Sequence, residues 1–465
     1  MQEANLYLRG VTDRFSTFSA KLISEPQELN DFARAKATAC SRICAAKRSA
    51  EKAYQIISQS MKRIGISPPA VERNTTLEGA LKRLSAEKWW RMQLHRVCLE
   101  VFEHSAILCG LTHSKAGLYI SDVSLQIVVS KRIRNQDILN SLIAINELGE
   151  ERSLSDLVSG SVSNPEKRRN ELMARLFGFD VIAKKLDHDG LFVTLTCPSR
   201  MHARFKASGD RNPKFDSCSP RESQKYLCTL WSRIRAAFNN KGIQIYGFRV
   251  AEPQHDATPH WHILLYSRPE NTPQIKETFT KHALADTPEE RGAEKNRVTF
   301  IDIDWAKGSG VGYIAKYISK NIDGAHLDKD LEGNSAEASA KRVSAWASVH
   351  GIRQFQQLGG PTVTSWRELR RIEEAPEGLL SEAREAADSG NWELFTEALG
   401  GIDCPRKEHA IKLVHIHDDK PGIYGEPKGD SILGVTDGEQ LVVTREHSWT
   451  IEKAAKIPCL PNAVR

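Results

Sequence analysis

Two histidines separated by a single residue could bind a divalent metal ion. His260 and His262 lie in an apolar run that continues to Tyr266, a pattern that predicts a β-strand. Because alternate side chains of a strand point to the same face, both imidazoles are expected on one side of a sheet. Glu252 ends the preceding strand pattern and would complete a set of two imidazoles and a carboxylate. Such a set suits Mg²⁺ or Mn²⁺ and leaves positions open for phosphate oxygens.

The loop between Glu252 and His260 offers further candidates for this set. His255 or Asp256 could add a ligand or replace Glu252, and Gln254 could orient a ligand by a hydrogen bond. The bare His-x-His pattern also occurs on strands that bind no metal. In that interpretation the two histidines are ordinary half-exposed residues.

Two tyrosines follow at a spacing of one helical turn. Tyr313 and Tyr317 lie in a segment with helical periodicity, so their Cβ atoms should be about 5–6 Å apart on one face. They fall opposite the apolar stripe of that helix, which predicts that they do not pack. Either tyrosine could be a nucleophile, with Lys316 or Lys320 stabilising the phenolate or the charge on a phosphate. The alternative is a pair of tyrosines on a solvated face.

A glycine-rich segment, Gly308 to Gly312, comes directly before the tyrosine helix. Glycine lets the backbone approach a bulky polyanion, and Ser309 is placed to cap the helix. The segment is not a Walker-type phosphate loop, because the sequence contains no G-x-x-x-x-G-K-[ST] pattern. The sequence therefore indicates no ATP-driven step.

The composition permits contact with nucleic acid without requiring it. The 465 residues include 65 Lys and Arg against 59 Asp and Glu, a net charge of +6. Two basic clusters, Lys131-Arg132 and Lys167-Arg168-Arg169, are candidates for phosphate contacts, although solvated helix faces give the same pattern. The first ten residues lack the regions of an export signal, and no run approaches the roughly 18 apolar residues of a membrane-spanning helix. We therefore expect no membrane association.

The nine cysteines are dispersed and show no C-x-x-C spacing. This pattern favours a reducing compartment such as the cytosol. Cys40 and Cys44 are one helical turn apart and could bind a metal together with Cys98 or Cys109, but buried thiols are the favoured interpretation.

The surrounding elements predict an α+β fold with a central antiparallel sheet and flanking helices, preceded and followed by mostly helical regions. Strands are expected at residues 192–196, 243–251, 260–266 and 298–304, and helices at 26–64, 137–148 and 226–239. We divide the chain into an N-terminal helical region (1–110), a helical connector with basic segments (111–185), the α+β domain (186–330), a C-terminal helical region (331–404), and a tail with a small hairpin (405–465).

Three motifs occur in order along the α+β domain. They read FVTLTCPS at residues 192–199, GFRVAEP at 247–253 with TPHWH at 258–262, and GYIAKYISKN at 312–321. Together they resemble the motifs of the HUH endonucleases, and specifically those of the replication gene A proteins of temperate tailed phages. The similarity includes NPEKRRNELM at residues 164–173 and covers about residues 85–400.

The resemblance implies a site-specific single-strand DNA endonuclease and strand transferase that initiates and terminates rolling-circle replication of phage DNA. Such proteins keep the 5′ phosphate as a phosphotyrosine and leave a 3′ hydroxyl for a polymerase. The implied partners are single-stranded origin DNA and a separate host helicase and polymerase, in the cytoplasm of the bacterial host.

The residue roles that follow from the resemblance are carried over motif by motif. The metal ligands for Mg²⁺ or Mn²⁺ are His260 and His262, with Glu252 or His255 as the third. The nucleophiles are Tyr313 and Tyr317, supported by Lys316 and Lys320. The DNA contacts are Arg249, Lys131, Arg132, Lys167, Arg168 and Arg169.

Two departures and two alternatives accompany the resemblance. The loop at residues 254–257 reads QHDA where HHDG is expected, which leaves the third ligand open between Glu252 and His255. The chain is short for the family, so we expect an additional terminal domain to be missing. The alternatives are a conjugative relaxase or transposase of the same class, and a non-catalytic origin- or single-strand-binding protein on this scaffold. Retention of both histidines and both tyrosines argues against the non-catalytic alternative.

Overall fold

The computed structural model of the chain describes residues 26–47, 49–72, 75–325 and 335–454. Parts of the predicted N-terminal region and of the predicted tail, residues 1–25 and 455–465, lie outside the described residues, as do residues 326–334. The fold is α+β with antiparallel sheets, which confirms the predicted fold class.

The described residues begin with five consecutive helices and end with four consecutive strands. The helices are α1 (Pro26–Ala46), α2 (Ala50–Arg63), α3 (Leu77–Leu84), α4 (Glu87–Leu108), α5 (Asp122–Asn140), α6 (Leu154–Gly160), α7 (Pro165–Lys185), α8 (Pro220–Asn240), α9 (Thr272–Ala283), α10 (Ala293–Asn296), α11 (Val311–Ile322), α12 (Ala336–His350), α13 (Val363–Leu369), α14 (Leu379–Asp388) and α15 (Trp392–Ala398). The strands are β1 (Leu142–Asn146), β2 (Glu151–Ser153), β3 (Asp189–Thr196), β4 (Tyr246–Pro253), β5 (Pro259–Ser267), β6 (Val298–Asp302), β7 (Phe355–Leu358), β8 (Lys412–Pro421), β9 (Pro427–Thr436), β10 (Leu441–Val443) and β11 (Trp449–Lys453).

A five-stranded antiparallel sheet with the order β6-β3-β5-β4-β7 forms the centre of the fold. Its first four strands in the chain, β3 to β6, confirm the predicted strands to within a few residues. The central strand β5 is buried at every position except the half-buried His260, because it is covered on both faces and paired on both edges. The register places Glu252 opposite His260 and Thr194 opposite His262.

Apolar side chains cover both faces of this sheet. On one face, Ile234 of α8 and Trp346 of α12 belong to the core. On the other face, Phe179 of α7 and Ile314 of α11 pack with Phe192 of β3. The alternation of β5 directs His260 and His262 to this second face, because Leu264 and Tyr266 of the same parity pack there. The tyrosine helix α11 therefore lies over the histidines.

Helix α7 holds α11 at both of its ends. Before the N-terminus of α11, Asp180 accepts hydrogen bonds from Ser309 Oγ at 3.0 Å and from Gly310 N at 2.9 Å. The hydroxyl of Tyr266 also donates to Asp180, at 3.0 Å. A carboxylate at this end is favourable because the N-terminus of a helix carries partial positive charge. At the other end, Arg169 forms an ion pair with Asp323.

Several elements that sequence periodicity predicts incorrectly depend on distant partners. The predicted helix at residues 137–148 is wrong in its second half, since α5 ends at Asn140 and strand β1 follows. Strand β1 pairs with β2 and with β11, about 300 residues further along the chain.

The predicted helix at 26–64 is two helices, which pack with α3 and α4 in a core of their own. The predicted hairpin across Asp437-Gly438 is confirmed by the pairing of β9 with β10.

A search of the described residues for membrane spans finds no helix that is both long enough and apolar enough to cross a bilayer.

The Asp180 contacts predict a measurable contribution to stability. Asp180→Ala should lower the free energy of unfolding by about 1–3 kcal/mol, because it leaves the Gly310 N–H and the Tyr266 hydroxyl buried without an acceptor. Urea denaturation followed by tryptophan fluorescence measures this. Lys184→Ala is the matched control, since its exposed ammonium lies 3.4 Å from the same carboxylate and should matter by less than about 1 kcal/mol. Equal free energies of unfolding for Asp180→Ala and this control would show that the hydrogen bonds of Asp180 do not stabilise the fold.

Candidate metal and tyrosine site

Strands β4 and β5 bring one carboxylate and two imidazoles together. One ligand atom from each of Glu252, His260 and His262 lies within 4.8 Å of the others. The Nε2 atoms of His262 and His260 are 3.5 Å and 3.9 Å from Glu252 Oε2. This juxtaposition follows from the antiparallel register, which sets Glu252 directly beside His260 on the same face.

The donor set fits a divalent cation. The Nδ1 atom of His260 and the Nε2 atom of His262 are buried and have no hydrogen-bond partner in the described part of the chain. Leaving buried polar atoms without partners is costly, and a cation bound between them would remove that cost. Two imidazole nitrogens and one carboxylate oxygen match the ligand preferences of Mn²⁺ or Mg²⁺ and leave open positions.

The electrostatics of the group favour ionised carboxylate and neutral imidazole. Burial alone would raise the pKa of Glu252, but the adjacent His262 imidazole and the Lys320 ammonium outweigh it and lower the pKa to about 2. Burial and the neighbouring His262 lower the pKa of His260 to about 3. Both groups are therefore in the protonation state that binds a metal at neutral pH.

Residues of β3 orient His262. The Nδ1 atom of His262 and Thr194 Oγ1 are hydrogen-bonded at 3.1 Å, which leaves Nε2 directed toward Glu252. The ring of Phe192 stacks on the imidazole with 5.6 Å between centroids and 13° between planes. Such support from neighbouring residues fixes the direction of a metal-binding imidazole.

Helix α11 places its tyrosines against this group. The ring of Tyr317 stacks on His262 with 3.8 Å between centroids, and its centroid is 5.8 Å from that of Phe192. The ring of Tyr313 contacts Phe192 at 6.0 Å. The prediction that these tyrosines lie on an unpacked face is wrong, because both are half-buried against the sheet. The tyrosine side of α11 therefore packs as well, through contacts with Phe192 of β3 and His262 of β5.

The two lysines of this helix lie in different surroundings. Lys316 is exposed, with its Nζ 5.1 Å from the centroid of the Tyr317 ring. Lys320 is buried, and its Nζ is 3.4 Å from Glu252 Oε1. Burial would lower the pKa of Lys320, but the charge of Glu252 and the nearby Tyr119 raise it, so the side chain stays protonated. Burial and Glu252 also raise the pKa of Tyr317.

An amide network joins the helix to the carboxylate. The Nδ2 atom of Asn321 donates to Glu252 Oε1 at 2.7 Å, and Gln354 Nε2 donates to Asn321 Oδ1 at 3.1 Å. The sequence patterns did not single out Asn321, Gln354 or Thr194. Asn321 could have been found from its place in the third motif, and Thr194 from the strand pairing. Gln354 had no local signal, because it precedes an edge strand from a distant part of the chain.

Glu252, His260 and His262 form the candidate metal-binding set, which we call the ligand group, and the structure places His255 outside it. Its Nε2 atom is hydrogen-bonded to the carbonyl oxygen of Arg204 at 3.0 Å, and Asp256 binds His202 at 3.3 Å and Thr258 N at 3.2 Å. Of the two alternatives for the third ligand, the geometry thus favours Glu252. The alanine that replaces the expected glycine, Ala257, adopts φ +71°, a left-handed conformation that costs roughly 1–2 kcal/mol in a residue with a Cβ atom.

The predicted DNA contacts divide into buried and exposed residues. Arg249 is buried, with its guanidinium 4.0 Å from the Trp261 ring centroid, and Arg169 is buried in its pair with Asp323. Neither side chain lies at the surface in this conformation, and the assignment of these two as DNA contacts stays a prediction. The remaining candidates are exposed: Lys131, Arg132, Lys167 and Arg168.

The cysteine alternative finds no support. Within the described ranges, the group Glu252, His260 and His262 is the one set of His, Cys, Asp or Glu whose geometry could hold a metal ion. Cys40 and Cys98 are buried, and burial raises the pKa of Cys40 to about 11 and that of Cys98 to about 12. Such thiols are inert packing groups.

The fold and site define a class of protein in which a tyrosine-bearing helix covers a carboxylate–imidazole group on an antiparallel sheet. Residues 14–325 match the family model described as bacteriophage replication gene A protein (GPA). The match covers more than half of the chain, so the chain belongs to this family.

Curated relatives agree with this family assignment. The chain is 38% identical to the replication protein of Haemophilus phage HP1 over 389 residues, which are 81% of this chain and 49% of the relative. It is 38% identical to the replication gene A protein of Escherichia phage 186, covering 84% of this chain and 59% of the relative. A probable replication endonuclease from a prophage-like region of Salmonella paratyphi A is 33% identical, covering 87% and 55%. The chain thus spans about half the length of these relatives. No solved structure matches the chain.

The ligand geometry predicts which variants bind Mn²⁺ poorly. Glu252→Gln and His262→Ala should each weaken Mn²⁺ binding by more than about 10-fold, since changes even in residues that only support ligands cost that much. Electron paramagnetic resonance titration of free Mn²⁺ measures the affinity. His255→Ala is the matched control and should bind as the unmodified chain does. Mn²⁺ binding that disappears in His255→Ala and persists in Glu252→Gln would reverse the ligand assignment.

Proposed function

We propose that this protein is a metal-dependent single-strand DNA endonuclease and strand transferase that initiates and terminates rolling-circle replication of phage DNA. The observation that carries the proposal is the stacking of Tyr317 on His262, 3.8 Å between centroids, beside Glu252. In the proposal, this phenol is the nucleophile, and the neighbouring residues hold the metal that polarises the phosphate. The family assignment, and the name replication endonuclease given to a relative, support the substrate and the process.

The residues around the phosphate would divide the work as follows. Glu252, His260 and His262 would hold Mg²⁺ or Mn²⁺, which supplies Lewis-acid polarisation of the scissile phosphate when bound. Thr194 and Phe192 fix the His262 ring in the direction this requires. The exposed Lys316 ammonium is placed to stabilise charge on the phenolate or the phosphate.

The tyrosine would carry the covalent chemistry. Attack by the phenolic oxygen forms an O–P bond and breaks the bond between phosphorus and the 3′ oxygen. The 3′ oxygen leaves and takes up a proton to become a hydroxyl, and the 5′ phosphate stays bonded to the tyrosine. Because the phosphodiester free energy is kept in this linkage, the strand can be rejoined without ATP. The raised pKa of Tyr317 means that the phenol is neutral before attack and must lose its proton as the bond forms.

Two tyrosines permit two successive cuts. One of them is occupied by the first 5′ end while the regenerated origin must be cut again. Tyr313 and Tyr317 are about 6 Å apart along the helix axis at 1.5 Å per residue, and both contact Phe192. A small shift of the DNA would bring the second phenol to the same ligand group. Origin DNA in single-stranded form, a separate host helicase and polymerase, and the host cytoplasm complete the proposal.

The tyrosine assignment is tested by covalent capture of DNA. Labelled single-stranded oligonucleotides tiled across the genome that encodes the chain are incubated with protein and Mn²⁺, and adducts are resolved on a denaturing gel. Tyr313→Phe and Tyr317→Phe should each retain part of the adduct, with the larger loss for Tyr317→Phe because that ring touches His262 directly. The double variant should form none.

Tyr424→Phe is the control. It changes a half-buried tyrosine in the connection between β8 and β9, and it should form the full amount of adduct. Adducts that persist in the double variant would refute the tyrosine mechanism. A full loss in one single variant with no change in the other would mean that one tyrosine does all of the chemistry.

A further inference from the structure

A deep groove runs along the free edge of strand β7, away from the ligand group. We call it the β7 groove. Its floor is the strand at residues 355–358, its walls come from α7 on one face of the sheet and from α8 on the other, and residues 402–406 close its far side. Its volume is about 960 Å³. None of the residues of the ligand group or of the tyrosine helix α11 lines the groove.

Guanidinium groups dominate the lining of the β7 groove. Six arginines line it: Arg168, Arg175, Arg235, Arg353, Arg367 and Arg406. The acidic lining residues are Glu171, which pairs with Arg175 at 3.2 Å and with Arg367 at 2.8 Å, and Asp403, which pairs with Arg268 at 3.0 Å. The groove therefore carries a strong excess of positive charge.

Four of these arginines have no acidic partner in the described part of the chain: Arg168, Arg235, Arg353 and Arg406. All four are exposed. The Nε atoms of Arg353 and Arg406 are held by carbonyl oxygens of Phe355 at 3.1 Å and Gly360 at 3.4 Å, which leaves their terminal nitrogens open. Such guanidiniums are positioned donors without an acceptor.

The chemistry of the open guanidiniums defines the ligand. Guanidinium groups can only donate hydrogen bonds. The ligand that fits is consequently rich in acceptor oxygens and in negative charge.

The groove begins beside the proposed catalytic group. Arg353 precedes Gln354, whose amide binds Asn321, and Asn321 in turn binds Glu252. From Arg353 the groove follows β7 to Gly360 and the loop at Arg406. The antiparallel pairing of β7 with β4 makes this the end of the groove nearest Glu252 along the sheet.

We propose that the β7 groove binds single-stranded DNA that flanks the cleavage position, through its phosphates. This rests on the proposed function for the identity of the nucleic acid. A concave cleft between two helices suits one flexible strand, whereas a duplex is read by elements that protrude into its grooves. An acidic peptide added to the sheet is the weaker fit, because β7 offers only four residues for main-chain pairing.

The experiment measures binding of a fluorescein-labelled 30-nucleotide oligo(dT) by anisotropy at several salt concentrations, in EDTA so that no cleavage occurs. Arg235→Ala/Arg353→Ala is compared with Arg233→Ala, which removes an exposed arginine of the same helix that lies outside the groove. The double variant should bind more weakly, and its slope of log affinity against log salt should flatten by about 0.7 for each phosphate that the protein no longer neutralises. The control should match the unmodified chain.

Affinity and slope of the double variant equal to those of the control would overturn the inference, and so would tight binding of a poly-glutamate peptide that oligo(dT) fails to displace. Arg406→Ala gives the same measurement if the double variant does not fold. Adduct formation in Mn²⁺ is scored separately with the unmodified chain. If the unmodified chain forms adducts and the groove variants bind oligo(dT) as tightly as the unmodified chain does, only the inference about the groove is refuted. Loss of binding by the groove variants without any adduct refutes the proposed catalytic function and leaves the groove standing.

Discussion

The buried carboxylate of Glu252 is the group on which the rest of the site depends. A buried charge is stable only when it is paired and hydrogen-bonded, and the partners of Glu252 come from two separate elements. His260 and His262 approach it from β5, while Lys320 and Asn321 approach it from α11. The contacts of α11 with Glu252 therefore both dock the tyrosine helix on the sheet and compensate the buried charge of the carboxylate. The same contacts that stabilise the end of β4 fix the distance between the tyrosines and the imidazoles.

Helix α7 extends this arrangement to the groove. Its inward residues Asp180 and Arg169 hold the two ends of α11, so the helix that carries Tyr313 and Tyr317 has a fixed position over the sheet. Its outward residue Arg168 lies over the ring of Phe355, 5.0 Å from the centroid, and lines the β7 groove. Neighbouring residues in one basic cluster therefore do different things: Arg169 forms a structural ion pair, whereas Arg168 has no acidic partner among the described residues. Charge runs in a sequence cannot distinguish these, because the direction of each side chain depends on where the helix packs.

Local patterns predicted the parts of the site that are local. The strand alternation of His260 and His262 and the helical spacing of the two tyrosines depend on neighbouring residues, and the structure has them as predicted. The burial of Lys320, the exclusion of His255 and the placement of Gln354 depend on contacts between distant segments. Helical periodicity could not predict the burial of Lys320, because the ion pair that compensates it is with Glu252 of another element. Strands β1 and β7 were missed for the same reason, since each is defined by pairing with a remote strand.

Under the proposed function, this arrangement of residues would serve the transfer of a DNA phosphate to a tyrosine of α11. Mass spectrometry of the protein after reaction with single-stranded DNA in Mn²⁺, followed by nuclease and protease digestion, identifies the residue that carries the nucleotide. We expect a nucleotide mass on the peptide that contains Tyr313 and Tyr317, with fragment ions that place it on a phenolic oxygen. A nucleotide on a histidine, a serine or a tyrosine outside α11 would contradict this mechanism.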